Sequence, residues 1–102
     1  MQAYPNLKGI FAINDPTALG VVAAIQGANR TGEIMVVSVD GSQNAIEMIR
    51  DGQLLCYPMQ QPVEIGKLAV ELAKQHWAGQ EVEKMNVIPV VNITTENFEE
   101  YD

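Results

Sequence analysis

The sequence predicts an α/β fold built around a mainly parallel sheet, and two observations lead to that prediction. Four short apolar segments alternate along the chain with three longer segments in which apolar residues recur at helical spacing. The short segments are almost continuously apolar, which is typical of strands buried on both faces of a parallel sheet. The expected order of elements is βαβαβαβ(α), with helices covering both faces of the sheet.

The first strand and helix are predicted within residues 9–29. The apolar run GIFAI over residues 9–13 is bounded by turn residues, which indicates a short buried strand. Asp15 is a good N-cap residue and Pro16 suits the first helical position, so a helix should begin there. The apolar face of that helix continues as far as Asn29 through Ala18, Leu19, Val22, Ala23 and Ile25.

The second strand and helix are predicted between residues 34 and 52. Residues 34–39, IMVVSV, form another apolar run, which ends at the turn Asp40-Gly41-Ser42. Ser42 is expected to cap the helix that follows. That helix turns its apolar residues Ala45, Ile46 and Ile49 inward, and Asp51-Gly52 should stop it.

The last elements follow from similar signals. Residues 54–57, LLCY, predict a third strand, closed by Gln60-Gln61-Pro62 with Pro62 at the first position of the next helix. The apolar stripe of this longest helix ends before Gly79 and contains Ile65, Leu68, Ala69, Leu72, Ala73, His76 and Trp77. Residues 87–93 predict a fourth strand, and residues 94–98 a last helical turn.

Length and charge narrow the classes of function. A chain of 102 residues has room for one compact domain. Six Lys and Arg against thirteen Asp and Glu leave a net charge of −7, which argues against a nucleic-acid-binding surface. No apolar run is long enough for insertion into a membrane, and residues 1–5 lack the basic and apolar regions of a signal peptide.

Residues suited to catalysis or metal binding are scarce in this sequence. His76 is the only histidine and lies on the apolar side of a predicted helix, while Cys56, the only cysteine, lies within an apolar strand. A free thiol in such a place usually acts as a small hydrophobe, and one Cys with one His does not make a zinc site. Gly66-Lys67 lacks the Ser or Thr that ends a phosphate-binding loop. We expect neither catalytic residues nor enzymatic activity, and no metal or cofactor.

Polar residues mark the predicted carboxyl ends of the strands, where ligands bind in open parallel sheets. They are Asn14-Asp15, Asp40 and Gln60-Gln61. A carboxylate accepts hydrogen bonds from two neighbouring hydroxyl groups, and a carboxamide both donates and accepts, so these side chains suit a neutral polyhydroxylated ligand. The alternative is that Asp15 is only a helix cap and Asp40-Gly41 only a turn.

Three stretches resemble periplasmic sugar-binding proteins in order and spacing. Residues 9–20, GIFAINDPTALG, are similar to the family pattern GIFAxND..ALG, and residues 36–41, VVSVDG, are similar to VVGxDG. Residues 53–66, which include Gln60-Gln61-Pro62, resemble GxL.ATVAQxP..IG. On these stretches the chain is identified as similar to the ribose-binding-protein branch of type I solute-binding proteins of ABC transporters.

The resemblance implies a Rossmann-like type I periplasmic-binding-protein fold that is incomplete, because only the C-terminal portion of such a protein is matched. In this family two lobes are joined by crossing strands. By analogy, residues 1–58 and 91–102 belong to the second lobe, and residues 59–90 supply a helix and a strand to the first. The hinge crossings fall near residues 57–60 and 88–90.

The same resemblance implies a monosaccharide ligand, a ribose-like pentose being favoured, although Val39 stands where ribose binders usually carry an aromatic residue. The ligand-binding residues carried over are Asn14, Asp40 and Gln60; the first two would reach ring hydroxyls from the second lobe, and Gln60 from the hinge. The implied partners are the remainder of the binding protein and an ABC permease. The implied location is the periplasm or the extracellular side of the membrane.

A second function stays open at this point. The same fold serves as the sugar-sensing core of LacI-type transcription regulators, although there the middle motif more often ends FDD, unlike Asp40-Gly41. A helix-turn-helix encoded upstream would favour the regulator, and a signal peptide would favour transport.

Overall fold

The computed structural model describes residues 2–101 and has the predicted order of elements. Its strands are β1 (Gly9–Phe11), β2 (Met35–Val37), β3 (Cys56–Met59) and β4 (Val91–Thr94). Its helices are α1 (Asp15–Gly27), α2 (Gln43–Arg50), α3 (Pro62–Trp77) and a short 3₁₀ helix (Phe98–Tyr101). The α/β fold class is therefore confirmed.

The chain divides into two compact units. The first unit contains the described residues up to Met59 together with those from Asn92 onward, and the second is Gln60–Val91. The first unit holds α1, α2 and most of the sheet, whereas the second consists of α3 and the segment that follows it.

The strands form one sheet in the order β1-β2-β3-β4. Strands β1 and β2 are parallel, with Gly9 opposite Met35 and Phe11 opposite Val37. Strand β3 continues the parallel pairing, with Cys56 opposite Val37. The predicted parallel arrangement of the strands is thus confirmed for these three.

One face of the sheet is buried and the other is open. Val36 and Tyr57 are 1% and 0% exposed and lie on the buried face, and helix α1 packs against β2. The opposite face carries Phe11, Met35 and Val37, of which Phe11 is 66% and Met35 60% exposed. We call these three residues the open face. The predicted cover on both faces is therefore wrong for the described part of the chain.

The strand order explains this difference. Strands β1, β2 and β3 are neighbours in sequence order, so the crossovers through α1 and α2 step in the same direction along the sheet. Because βαβ crossovers are right-handed, connections that step in one direction place their helices on the same face. The helix residues in this core are Ala18, Val22, Ile25, Ala45, Ile46, Met48 and Ile49.

The ends of several elements differ from the predictions. Asn14, not Asp15, caps α1, because the Asp15 backbone is already helical and its carboxylate is bound elsewhere. Ser42 takes the N-cap position of α2 as expected, but its side chain makes no capping hydrogen bond. Strand β4 begins only at Val91, and the last turn, a 3₁₀ helix, starts at Phe98 rather than ending there.

The second unit has little core of its own. None of the residues of α3 is buried, and Trp77 at its end is 82% exposed. Leu68 and Leu72 are half-buried and line a shallow groove with Ile88. A hydrogen bond of 2.6 Å from Gln61 Nε2 to the carbonyl oxygen of Pro89 ties the start of α3 to the segment that returns to the sheet.

Candidate functional site

The three predicted ligand-binding residues lie directly after, or within three residues of, the carboxyl ends of consecutive strands. Asn14 follows β1 and is half-buried, Asp40 follows β2 and is half-buried, and Gln60 follows β3 and is exposed. Asn14 and Asp40 belong to the first unit, whereas Gln60 is the first residue of the second. Within the first unit, the candidate site therefore consists of the loops that carry Asn14 and Asp40.

Asn14 caps helix α1 with its side-chain oxygen and keeps its amide nitrogen available for a ligand. Its Oδ1 accepts hydrogen bonds from the Thr17 backbone N–H at 3.0 Å and from the Thr17 hydroxyl at 2.7 Å, which caps the start of α1. Within residues 2–101 its amide nitrogen donates to no group. Asn14 can therefore offer a donor to a ligand while its oxygen holds the helix end.

Asp40 adopts a backbone conformation that is rare for a residue with a side chain. Its φ is 116°, in the region that favours glycine. The conformation is held by a bridge to Met59 on β3, and the Asp40 N–H donates to the carbonyl oxygen of Pro58 at 3.3 Å. Backbone strain of this kind is concentrated at functional sites in proteins, where the surrounding structure maintains it.

Asp15 joins the loop after β1 to the loop after β2. It is 2% exposed, and its Oδ1 accepts from the Ser38 hydroxyl at 3.0 Å. Its Oδ2 accepts from the backbone N–H groups of Gly41 at 3.1 Å and Ser42 at 2.6 Å. Asn14 and Asp40 are thus each one peptide bond from a residue in this link. The two predicted contacts are brought into one loop cluster.

The Asp15 side chain lies at the start of one helix and binds the start of another. The carboxylate lies in the first turn of α1, and it binds the N–H of Ser42, the N-cap residue of α2. A negative charge at a helix N-terminus is stabilised by the aligned peptide dipoles. Here one carboxylate serves the starts of two helices.

Gly41 and Tyr57 complete the support beneath the loop. Gly41 has φ 93°, and a Cβ built on it would clash with the Met59 side chain and lie 2.9 Å from Tyr57 Cε2. Only glycine fits at this position. Burial raises the pKa of the Tyr57 phenol above its ordinary value of 10.0, and the charge of nearby Asp15 raises it further.

Sequence reasoning missed the link formed by Asp15, together with the roles of Ser38 and Tyr57. Asp15 was expected only to cap its own helix or to mark a strand end. Its partners lie 23 to 27 residues away, and no local spacing signals such a contact. The single sequence signal was the glycine after Asp40, which a turn alone explained equally well.

The chemistry available at these loops is hydrogen bonding. A carboxylate from Asp40 and an amide donor from Asn14 suit a ligand rich in hydroxyl groups. Among residues 2–101 no group of three or more His, Cys, Asp and Glu side chains is placed to hold a metal ion. Over the same residues, no helix has the length and apolar character needed to cross a membrane.

Comparison with known proteins gives a consistent result. The sequence model of the family described as periplasmic binding protein domain matches residues 1–81. The ribose import binding protein of Bacillus subtilis is 37% identical over 90 residues, covering 88% of this chain and 29% of that protein. The D-allose-binding periplasmic protein of Escherichia coli is 38% identical over 72 residues, 71% of this chain and 23% of that protein. The chain therefore spans less than a third of the length of these relatives.

Solved structures of high similarity are proteins of ABC transporters. A periplasmic solute-binding protein of an ABC transporter from Actinobacillus succinogenes, with bound D-allose, superimposes with a TM-score of 0.92 at 32% identity. It covers 98% of this chain, which in turn covers 35% of that protein. An ABC sugar transporter subunit from Rhodobacter sphaeroides is 42% identical, with a TM-score of 0.82. The match covers 94% of this chain and 36% of that subunit.

Proposed function

This chain belongs to the family of periplasmic binding protein domains, and we propose on that premise that it captures a monosaccharide for an ABC transporter as the C-terminal portion of a solute-binding protein. A ribose-like sugar, a pentose or its close hexose relative allose, is the favoured ligand. The relatives described above are named for ribose and D-allose, and a similar structure holds D-allose.

The observation that carries this proposal is the joining of two polar loops at the carboxyl ends of neighbouring parallel strands. The loop after β1 presents the Asn14 amide, and the loop after β2 presents Asp40 in a strained conformation. The Asp15 carboxylate binds the first loop to the second through Gly41 and Ser42. Donor and acceptor groups held in this way match neighbouring hydroxyl groups on a sugar ring.

We further propose that the two units belong to different lobes of the whole protein. Residues 1–58 and 91–102, within one residue of the bounds of the first unit, would contribute to the C-terminal lobe. Residues 59–90 would supply a helix and a strand to the N-terminal lobe. Two observations support this proposal: the division of the chain after Met59 and after Val91, and the lack of buried residues in α3. Gln60, at the first boundary, would reach the sugar from the hinge, and closure of the lobes would enclose the ligand.

The proposed partners are the remainder of such a binding protein and an ABC permease, with the periplasm or the extracellular side of the membrane as the location. The exposed Phe11 and Met35 on the open face support the first of these, since contiguous apolar surface usually marks a contact. The regulator alternative is not proposed, because the relatives and structures described above are import, periplasmic or transporter proteins.

A chimera tests the proposal directly. The 102 residues replace the matching segment of the Bacillus subtilis ribose import binding protein, so that the part of the relative outside the match supplies the rest of the fold. Titration calorimetry with ribose and with allose then measures binding. We expect micromolar or tighter affinity for at least one of them, whereas the isolated chain should bind in the millimolar range at best.

The control is the same chimera with Glu33→Gln, since Glu33 pairs with Arg30 at the surface and has no part in the proposed site. This variant should bind like the parent chimera. A chimera that unfolds in one cooperative transition and yet binds no monosaccharide would contradict the proposed function.

A further inference from the structure

Asp15 is a buried carboxylate whose hydrogen bonds reach away from its own helix. It is 2% exposed, and its three partners are the Ser38 hydroxyl and the backbone N–H groups of Gly41 and Ser42. Burial of a carboxylate is unfavourable unless hydrogen bonds replace its hydration. Three charge-assisted bonds meet that need here, and they fix two loops relative to each other as a consequence.

The segment held by Asp15 contains Asp40. Ser38 lies before Asp40 and Gly41 directly after it, so the carboxylate binds the chain on both sides of that residue. Asp40 itself has φ 116°, a conformation that a non-glycine residue keeps only where its surroundings impose it. Asp15 supplies part of that constraint from one side.

The other side of the segment is fixed by β3. The Asp40 N–H donates to the Pro58 carbonyl, and Gly41 lies against Tyr57 and Met59 with no room for a side chain. These contacts fix the position of the loop against β3, but they do not connect it to Asn14. Asp15, the neighbour of Asn14 in sequence, joins the loop that carries Asn14 to the loop that carries Asp40.

We propose that Asp15 is a positioning residue for sugar binding: it touches no ligand, and it sets the separation and orientation of Asn14 and Asp40. This inference rests on the proposed function, because it assigns those two residues to the sugar. Binding costs less free energy when the donor and the acceptor are already held in place before the ligand arrives. Asp15 therefore raises the affinity for the sugar by holding Asn14 and Asp40.

The test uses Asp15→Asn in the chimera. The variant keeps the shape of the side chain and removes its negative charge, so the hydrogen bonds from Gly41 and Ser42 are no longer charge-assisted. We expect monosaccharide affinity to fall about tenfold, the size expected for loss of charge-assisted hydrogen bonds. Glu33→Gln is the matched control, since it makes the same change of charge at a side chain that is 55% exposed and pairs with Arg30.

A double-mutant cycle separates positioning from general destabilisation. If Asp15 acts through Asp40, then Asp15→Asn should cost clearly less affinity in an Asp40→Ala background than alone. Equal losses in both backgrounds would overturn the proposal. Should Asp15→Asn fail to fold, Ser38→Ala removes one of the three bonds, and a smaller loss with the same dependence on Asp40 is expected.

Amide hydrogen exchange gives a readout that needs no sugar. Asp15→Asn should speed exchange at Gly41 and Ser42 while helix α1 stays protected, and Glu33→Gln should leave both unchanged. Unaltered exchange at these two amides would overturn the proposal even if affinity fell. If the parent chimera binds no monosaccharide, the proposed function fails, and the exchange result still decides whether Asp15 holds the loop.

Discussion

At the scale of single residues, the candidate site combines groups that serve the fold with groups that serve a ligand. The Asn14 oxygen caps α1 and its nitrogen faces no partner within the described chain, whereas the Asp15 carboxylate is wholly engaged in joining loops. Asp40 is placed by its neighbours in a conformation it would not adopt alone. Effects of substitutions here must therefore be measured on stability as well as on binding.

Asp40→Ala should have the largest effect on sugar affinity among the three predicted contacts. Hydrogen bonds to a charged group contribute about 1.5–3 kcal/mol, so the variant chimera should bind about ten- to a hundredfold more weakly. Asn14→Ala and Gln60→Ala break neutral bonds and should each cost about 1 kcal/mol. Calorimetry measures all three, and unchanged affinity in the Asp40 variant would remove Asp40 from the site.

Tyr57→Phe should stabilise the fold. The Tyr57 ring is 0% exposed, and within residues 2–101 its hydroxyl has no hydrogen-bond partner. An unpaired buried hydroxyl costs about 1–3 kcal/mol, and phenylalanine removes it without changing the ring. Chemical denaturation of the chimera should show a higher free energy of unfolding for the variant, with Tyr4→Phe, at an exposed site, as the control.

The gain in the free energy of unfolding from Tyr57→Phe should increase at alkaline pH. Burial and then the Asp15 charge raise the pKa of Tyr57 above 10.0, so the unfolded chain loses this proton before the folded chain does. As pH rises through 10.0, the wild-type protein therefore loses stability that the variant keeps. A constant difference between the two proteins from pH 8 to pH 11 would contradict this account.

At the scale of elements, the caps and the packing of the helices differ sharply along the chain. Helix α1 has a side-chain cap from Asn14 and buries Ala18, Val22 and Ile25, while α3, although longer, has no buried residue. Helices in proteins gain most of their stability from packing of an apolar face. Helix α1 in the first unit is therefore expected to contribute more to the stability of the isolated chain than helix α3 does.

Asn14→Ala should destabilise α1 independently of any sugar. Loss of an N-cap side chain costs about 0.5–2 kcal/mol of stability. Asn14→Ser keeps an oxygen for the Thr17 N–H but lacks the amide donor, so it separates capping from binding. Denaturation curves of the chimera should place the serine variant near the parent and the alanine variant below it, while both variants lose affinity for the sugar. Equal stability of all three proteins would contradict the capping role.

At the scale of the whole molecule, apolar surface remains uncovered. The open face exposes Phe11 and Met35, and the apolar side of α3 is only half-buried at best. A chain of this size buries a smaller fraction of its surface than a larger domain does, and exposed apolar patches drive association. The strand order of the first unit leaves one face of the sheet without a helix. In the second unit, α3 has no buried residue, so its apolar side also stays exposed to solvent.

The isolated chain should therefore self-associate or fold loosely. Sedimentation over a range of concentrations should show species larger than the monomer, and Phe11→Lys should reduce them by charging the open face. Tyr4→Lys is the matched control, since Tyr4 is 71% exposed but lies outside the sheet. A monomer with a sharp two-state unfolding transition at all concentrations would contradict this prediction.

The sequence by itself determined the kinds of element and their order. Helix α3 begins at Pro62 and ends before Gly79 as predicted, and Asn14, Asp40 and Gln60 do lie beyond the ends of consecutive strands. These features depend on hydrophobic spacing, proline, glycine and turn residues. All of them act within a few positions of the chain, so a pattern in the sequence records them.

Only the tertiary structure decided how those elements meet. It placed the strands in consecutive order, which left one face of the sheet open, and it made Asn14 rather than Asp15 the cap of α1. It also assigned the Asp15 carboxylate to partners up to 27 residues away. Contacts of this range depend on how strands pair and loops close, and the residues that make them carry no local signature in the sequence.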